Sequence, residues 1–311
     1  MNSSSFQSSL SELRSLFGDR LQENVSMANY TTARVGGNAA AMLIAHTSQD
    51  LELAAAKLWE HGVPFHLIGS GSNVLVSDKG LQGVVILNRA RNVKIDMHHE
   101  PYSVWAESGA NLGAVARQVA LRGLSGLEWA ATIPGSVGGA VYGNAGAHGG
   151  DMSDNLMLAE ILHQNAGKQV WTVEQMAYSY RSSALKRNPG QAIILAAKMK
   201  LLADTPEAVQ GRMEANSAQR RRTQPPGASL GSMFKNPAGD YAGRLIEAAG
   251  LKGTRIGGVE ISSVHANFFV NNDQATASDI WKLIQLARTR VQEKFGVSLE
   301  LEVELLGEWD S

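Results

Sequence analysis

The sequence contains no cysteine. That excludes disulfides, thiolate nucleophiles, iron–sulfur ligation and cysteine-based zinc sites. Net charge is almost absent too: 28 Lys+Arg stand against 29 Asp+Glu, leaving −1. Such a balance argues against a protein whose main work is coating nucleic acid or acidic membranes. Long hydrophobic runs are missing, and stretches such as Ala39–Ala45 fall far short of the roughly 20 residues of a membrane-spanning helix. Met1-Asn2-Ser3-Ser4-Ser5 has neither the basic nor the apolar region of a signal peptide, so a soluble cytoplasmic protein is the default expectation. The eight histidines are scattered, and His98-His99-Glu100 is not a metalloprotease motif, so no metal site is expected. One residue is in excess. Glycine occurs 32 times in 311 residues, half again its usual share of roughly 7%.

The length suggests two domains or one large one. Apolar spacing predicts a helix over Ser11–Phe17, a strand over 39–45, a helix over Ser48–His61 with Ser48 as N-cap and no capping box, and a strand over Pro64–Ile68. Short β-rich runs (Val84–Leu87, Val93–Ile95, Ser103–Glu107) lead to a helix over Leu112–Arg122 and then a glycine- and alanine-rich loop reaching Gly150. Strands over Met157–Gln164, Gln169–Val173 and Gln191–Leu202 close this part. Pro206 reads as the first residue of a helix reaching Arg222. Beyond it, Thr276-Ala277-Ser278-Asp279 has capping-box form, opening a helix with Ile280, Leu283, Ile284, Ala287, Val291 and Phe295 on one face. Alternation predicts a last strand over Val297–Leu306.

Nine of the glycines fall in two clusters. Gly69-Ser70-Gly71-Ser72-Asn73 follows an apolar strand, and seven further glycines lie between 135 and 150, among Ile133, Val137 and Val141. Glycines let consecutive N–H groups converge on an anion. A dinucleotide fingerprint is excluded, because Val74 holds the third glycine's place and another strand follows instead of a helix. A P-loop is excluded because the single Gly-Lys, Gly167-Lys168, is followed by Gln169. The second cluster reads either as tight turns or as backbone packed against a large, flat, phosphate-bearing ligand. Two nests of different spacing suit a pyrophosphate and an isoalloxazine better than a lone phosphate.

A serine hydrolase would need Gly-x-Ser-x-Gly, which neither Gly69-Ser70-Gly71 nor Gly231-Ser232-Met233 provides. Three segments carry other chemistry. Tyr178–Ser183 sets Arg181 among hydroxyls, as a surface turn or a ligand contact; Gly231–Pro237 puts Ser232, Lys235 and Asn236 in one loop, as a connector or a site. Glu302 shares a face with Glu300 and Glu304, the pattern of a solvated edge strand. Arg220-Arg221-Arg222 reads as a helix C-terminus favoured by the macrodipole, or as part of an anion site.

Taken together, Thr31-Thr32-x-Arg34-Val35-Gly36-Gly37, Gly69-x-Gly71-Ser72-Asn73, Ile133–Gly139, Asn144–Ala147, Tyr180-Arg181-x-Ser183, Gly231–Pro237 and His265–Phe268 resemble the UDP-N-acetylenolpyruvoylglucosamine reductase family. The likeness runs in order from Tyr30 to Gly307, and it looks like the compact type that lacks an extra tyrosine-bearing loop. It implies an α+β chain: a tail to residue 28, a vanillyl-alcohol-oxidase (PCMH)-type FAD-binding domain over 29–205 (subdomains 29–88 and 89–205), and an α+β substrate domain over 206–311. It further implies FAD held by Gly69, Ser70, Gly71, Ser72, Asn73, Ile133, Pro134, Ser136, Gly139, Asn144 and Gly146. NADPH is the implied reductant and UDP-N-acetylglucosamine enolpyruvate the substrate, met by Tyr180, Gln224, Lys235 and Asn236. Hydride from flavin N5 to C3 leaves carbanion character at C2; Arg181 and Glu302 would stabilise the carboxylate into which it delocalises, and Ser232 would protonate C2. A monomer without nucleic-acid or membrane partners is implied. Where the family often carries Leu-Glu-Pro-Glu, this chain has Leu299-Glu300-Leu301-Glu302, so the choice among Glu300, Glu302 and Glu304 stays open. An FAD-dependent sugar or alcohol oxidase of the same superfamily is the alternative.

Overall fold

A computed structural model describes residues 3–309. It divides into two compact units, each assembled from separated stretches. The first holds the chain up to Gln22, Ala41–Ser70 and Gly83–Gln219; the second holds Glu23–Ala40, Gly71–Gln82 and Arg220 onward. These units differ from the contiguous boundaries read from sequence. The stretches 23–40 and 71–82 group with the C-terminal part, and the last division falls inside the helix Pro206–Thr223 instead of at its start.

In the first unit, a five-stranded antiparallel sheet runs in the order Gly167–Thr172, Leu156–His163, Ala192–Lys200, Ser103–Glu107, Val93–Asp96. Its Val104, Ala106, Ala159, Ile161, Ala197 and Met199 share a core with the helix Leu112–Ala120. That helix buries residues 112, 115, 116, 119 and 120, the stripe a 3.6-residue period gives. Asn111 caps it, its side chain accepting from Ala114 N at 2.8 Å.

A second core lies under a sheet in the order Leu21–Ser26, Asn38–Ala45, Leu81–Asn88, Phe65–Ile68, the last two strands parallel. Helix Ser48–Glu60 joins the strand Asn38–Ala45 to the strand Phe65–Ile68. It buries Leu51, Ala54, Ala55 and Leu58 beside Leu10, Leu13 and Phe17 of the N-terminal helix Ser3–Phe17. Its cap is Thr47, not Ser48, and a capping box with Asp50 is present after all. The box was invisible from Ser48 because its register starts one residue earlier.

In the second unit, helices Ala242–Ala248 and Ala277–Phe295 share a core with an antiparallel sheet of Arg255–Ile256, Val259–Ile261 and Phe269–Asn271. The Thr276/Asp279 capping box forms as read, and Gly296 closes the helix in the left-handed conformation. The expected ten-residue last strand shrinks to Glu304–Leu306, parallel to Val74–Val76. Residues before it meet the chain near Phe234 through a single bridge, Phe234 to Leu301, too little for a continuous ladder. Among the described residues no helix is long and apolar enough to cross a membrane.

Candidate active site

The expected loop over 135–150 contains a short helix, Val137–Gly143. Its sequence hides it, because glycine and valine are weak helix formers. Ser136 caps it, its side chain accepting from Gly139 N at 3.3 Å. Backbone bonds from Leu112 N to Gly135 O (3.1 Å), Val137 N to Ala110 O (2.9 Å) and Gly138 N to Ser108 O (2.8 Å) lace this segment to the turn at 108–112.

In the first unit, Gly69 lies against the second glycine cluster. A Cβ on Gly69 would run into Ser136 Oγ, so only glycine permits this approach. Arg89 Nη1 donates to Gly69 O at 2.7 Å, fixing the same point from the other side. Neither Ile68–Ser77 nor Trp129–Gly150 contains an Asp or Glu. A backbone-rich surface of small residues without carboxylates fits a diphosphate and a flat ring, so the donor set agrees with FAD. Ser70 and Ile133 are half-buried, whereas Pro134 and Gly139 are exposed.

Asn144 and Gly146 also serve the protein itself. Asn144 is 3% exposed; its Oδ1 accepts from Ser153 N (3.1 Å) and its Nδ2 donates to Ser179 O (3.3 Å) and Asp151 Oδ2 (3.4 Å). Arg181 donates to Asn144 O through Nη1 (3.3 Å) and to Gly146 O through Nη2 (2.6 Å). Nearby, Tyr178 Oη donates to Val141 O (2.8 Å) and Ser183 Oγ to Tyr142 O (2.6 Å). The segment 178–183 therefore satisfies carbonyls that the end of helix Val137–Gly143 leaves without intrahelical partners. A guanidinium there also suits the negative helix end. Arg181 has φ +52°, the left-handed region, inside a turn closed by reciprocal bonds between Ser179 and Ser182. Its guanidinium lies 5.3 Å over the Tyr180 ring, which is exposed. Burial pushes the Tyr178 phenol well above its ordinary value, with Asp151 adding to the effect, so it stays a donor.

In the second unit, Gly71 has φ +62° and a Cβ there would strike Tyr30 O. Gly71 O accepts from Thr32 N at 3.0 Å, tying this loop to the Thr31–Arg34 segment. Ser72 is half-buried. Asn73 Nδ2 donates to Glu302 O (3.0 Å), and Asn73 O accepts from Glu304 N (2.9 Å). The residue read as a cofactor contact thus also anchors the stretch that carries Glu302.

Glu302 N donates to Met233 O (3.0 Å), one residue beyond Ser232, and Lys235 N donates to Glu300 O (2.9 Å). Ser232 and Glu302 therefore come from neighbouring extended segments. The three glutamates separate cleanly. Glu300 is 71% exposed and ion-paired with Lys235 Nζ; Glu304 lies opposite Val74 in the short parallel ladder; Glu302 lies between them, half-buried. Asn236 Oδ1 accepts from Ala242 N at 3.1 Å, capping the helix Ala242–Ala248. Gln224 Oε1 is buried without a hydrogen-bond partner.

Sequence reasoning passed over Asn267, which grips both backbone groups of Phe234, and Thr32, whose Oγ1 donates to Ser229 O at 2.6 Å. Both lie in motifs that were noticed, but nothing local signals a bond to a residue 33 or 197 positions away. His265 Nδ1 accepts from Asn267 N at 3.2 Å, which requires the neutral ring. Burial keeps it so by pushing the imidazole below its ordinary value; Lys252 reinforces this, while Glu247 and a backbone bond oppose it.

The family profile for the FAD binding domain matches residues 39–172, and that for the UDP-N-acetylenolpyruvoylglucosamine reductase C-terminal domain matches residues 223–306. The UDP-N-acetylenolpyruvoylglucosamine reductase of Chloroflexus aggregans is 44% identical over 290 residues, 92% of this chain and 97% of the relative. That of Halalkalibacterium halodurans is 41% identical over 297 residues, 95% of this chain and 97% of the relative. The crystal structure of the Thermus caldophilus reductase superposes with a TM-score of 0.79 at 36% identity, covering 93% of this chain and 99% of that one. The expected fold class, α+β with a vanillyl-alcohol-oxidase-type FAD-binding domain, is borne out. The chain is an oxidoreductase and belongs to the UDP-N-acetylenolpyruvoylglucosamine reductase family.

Proposed function

We propose that this chain reduces UDP-N-acetylglucosamine enolpyruvate to UDP-N-acetylmuramate at the expense of NADPH. The observation that carries the reading is the likeness over 92% of the chain to a reductase of that name, with Arg181, Ser232 and Glu302 each present and each held by local contacts. FAD, when bound, supplies the hydride that reaches C3 of the enolpyruvyl group, having taken it from NADPH. The residues of the chain do the rest. Ser232 protonates C2: its O–H bond breaks, a C–H bond forms, and the oxygen regains a proton from solvent. Arg181 as a cation and Glu302 as a protonated acid stabilise the charge that builds on the substrate carboxylate.

Segments 69–73 and 133–146 hold the cofactor, and the part from residue 206 onward handles the substrate. Gln224 Oε1, buried and without a partner, is an acceptor ready for an N–H or O–H of the sugar nucleotide. Lys235 exchanges Glu300 for a substrate phosphate. That exchange costs little, because Glu300 is 71% exposed and exposed ion pairs contribute about 0–1 kcal/mol. Tyr180 and Asn236 complete the substrate contacts. The protein works as a cytoplasmic monomer.

The test separates the two half-reactions. Ser232→Ala should leave flavin reduction by NADPH intact and slow reoxidation by the enolpyruvyl substrate by roughly 10²–10⁴, the usual contribution of a general acid. Equal slowing of both would contradict the role given to Ser232.

A further inference from the structure

We propose that Asn267 is a positioning residue for the Ser232 hydroxyl, acting through the backbone of Met233 and Phe234. The inference rests on the reading of Ser232 as proton donor. A serine hydroxyl is a weak acid, so its usefulness depends on being held where the proton is needed. Ser232 follows Gly231, which sits at φ +76°, so nothing regular upstream fixes it.

What fixes it lies in the motif His265–Phe268. Asn267 is 3% exposed, and its side chain reads both polar groups of one residue: Oδ1 accepts from Phe234 N at 2.9 Å and Nδ2 donates to Phe234 O at 2.8 Å. Its own carbonyl accepts from Met233 N at 2.8 Å. Ser232 itself forms a bridge with Phe268. Three bonds from one asparagine thus hold the two residues that follow the hydroxyl.

The grip is backed by packing. Phe234 is 1% exposed and meets Phe269 edge-to-face at 6.2 Å, and Met233 is fully buried. On the far side of the loop, Thr32 Oγ1 donates to Ser229 O. Only an amide can accept from the N–H and donate to the carbonyl of one residue in this way. Aspartate offers acceptors alone, and serine is one atom shorter.

The experiment compares the FAD-loaded protein with Asn267→Asp, Asn267→Ser, Ser232→Ala and the Ser232→Ala/Asn267→Asp pair. Asn267→Asp should slow reoxidation by the enolpyruvyl nucleotide about 10- to 100-fold, the scale of a roughly 1 Å misplacement. Reduction by NADPH and the substrate KM should not change, and the solvent isotope effect on reoxidation should grow. In the Ser232→Ala background Asn267→Asp should have no further effect, because both act on one step. Without substrate, hydrogen exchange at the Met233 and Phe234 amides should quicken in Asn267→Asp while the rest of the protein keeps its protection. Asn267→Ser provides the same comparison with no added charge. Equal slowing of both half-reactions, an unchanged reoxidation rate, or multiplied effects in the double variant would overturn this assignment alone. An unmodified protein that its substrate never reoxidises would overturn the functional reading and this assignment with it.

Discussion

Arg181 shows how much of a charged side chain's position comes from groups that carry no charge. Two carbonyls, Asn144 O and Gly146 O, receive its guanidinium, and both come from residues that sequence likeness alone assigns to the cofactor. Asn144 N–H is engaged as well, donating to Ala140 O. The glutamates allow a sharper statement. Alternation places Glu300, Glu302 and Glu304 on one face, so sequence could not choose among them; the structure sets Glu300 apart, paired with Lys235 at an exposed position. Glu302→Ala should lower kcat by about 10²–10³, as loss of a transition-state donor does. Glu300→Gln should change it by no more than about fivefold, since an exposed pair is worth about 1 kcal/mol at most. Steady-state turnover of the two variants checks this, and a reversed order would move the acid to Glu300.

Elements with a clean apolar stripe were legible, and elements built from small residues were not. Helix Ala277–Phe295 was readable because Ile280, Leu283, Ile284, Ala287 and Val291 recur at helical spacing and are all buried. Helix Val137–Gly143 was not, since its formation depends on the cap at Ser136 and on the turn at 108–112, which supply what glycine-rich sequence lacks. The last strand was over-read: alternation from 297 to 306 is present, but only Glu304–Leu306 finds a partner with which to make a ladder. A strand needs a neighbour, and periodicity does not show one. Caps can be tested directly. In the box at Thr276 the hydroxyl accepts from Asp279 N at 3.1 Å, and Asp279 Oδ2 accepts from Thr276 N at 3.0 Å. Thr276→Ala should cost about 1 kcal/mol of stability, measured by urea unfolding; an unchanged midpoint would mean the cap is replaced by solvent.

At the scale of the whole molecule, chain order and spatial grouping part company. Stretches 23–40 and 71–82 belong with the C-terminal part because Ala33, Val35 and Leu75 are buried in its core, Asn271 Nδ2 donates to Ala33 O at 2.9 Å, and Asn73 grips Glu302. One sequence cannot show this, since each contact joins residues some 200 positions apart, as Asn271 and Ala33 are at 238. The glycine clusters were more legible. Their glycine content singled them out, and Gly69 lies against Ser136 of the second cluster. The central claim is that this chain passes hydride from NADPH to an enolpyruvyl sugar nucleotide through bound FAD. The most direct test is anaerobic: the visible flavin band of the FAD-loaded protein is followed as NADPH, then UDP-N-acetylglucosamine enolpyruvate, is added. The account expects the band to bleach with NADPH and to return in proportion to the nucleotide added, with no oxygen present. A band that NADPH leaves untouched, or that only oxygen restores, would contradict it.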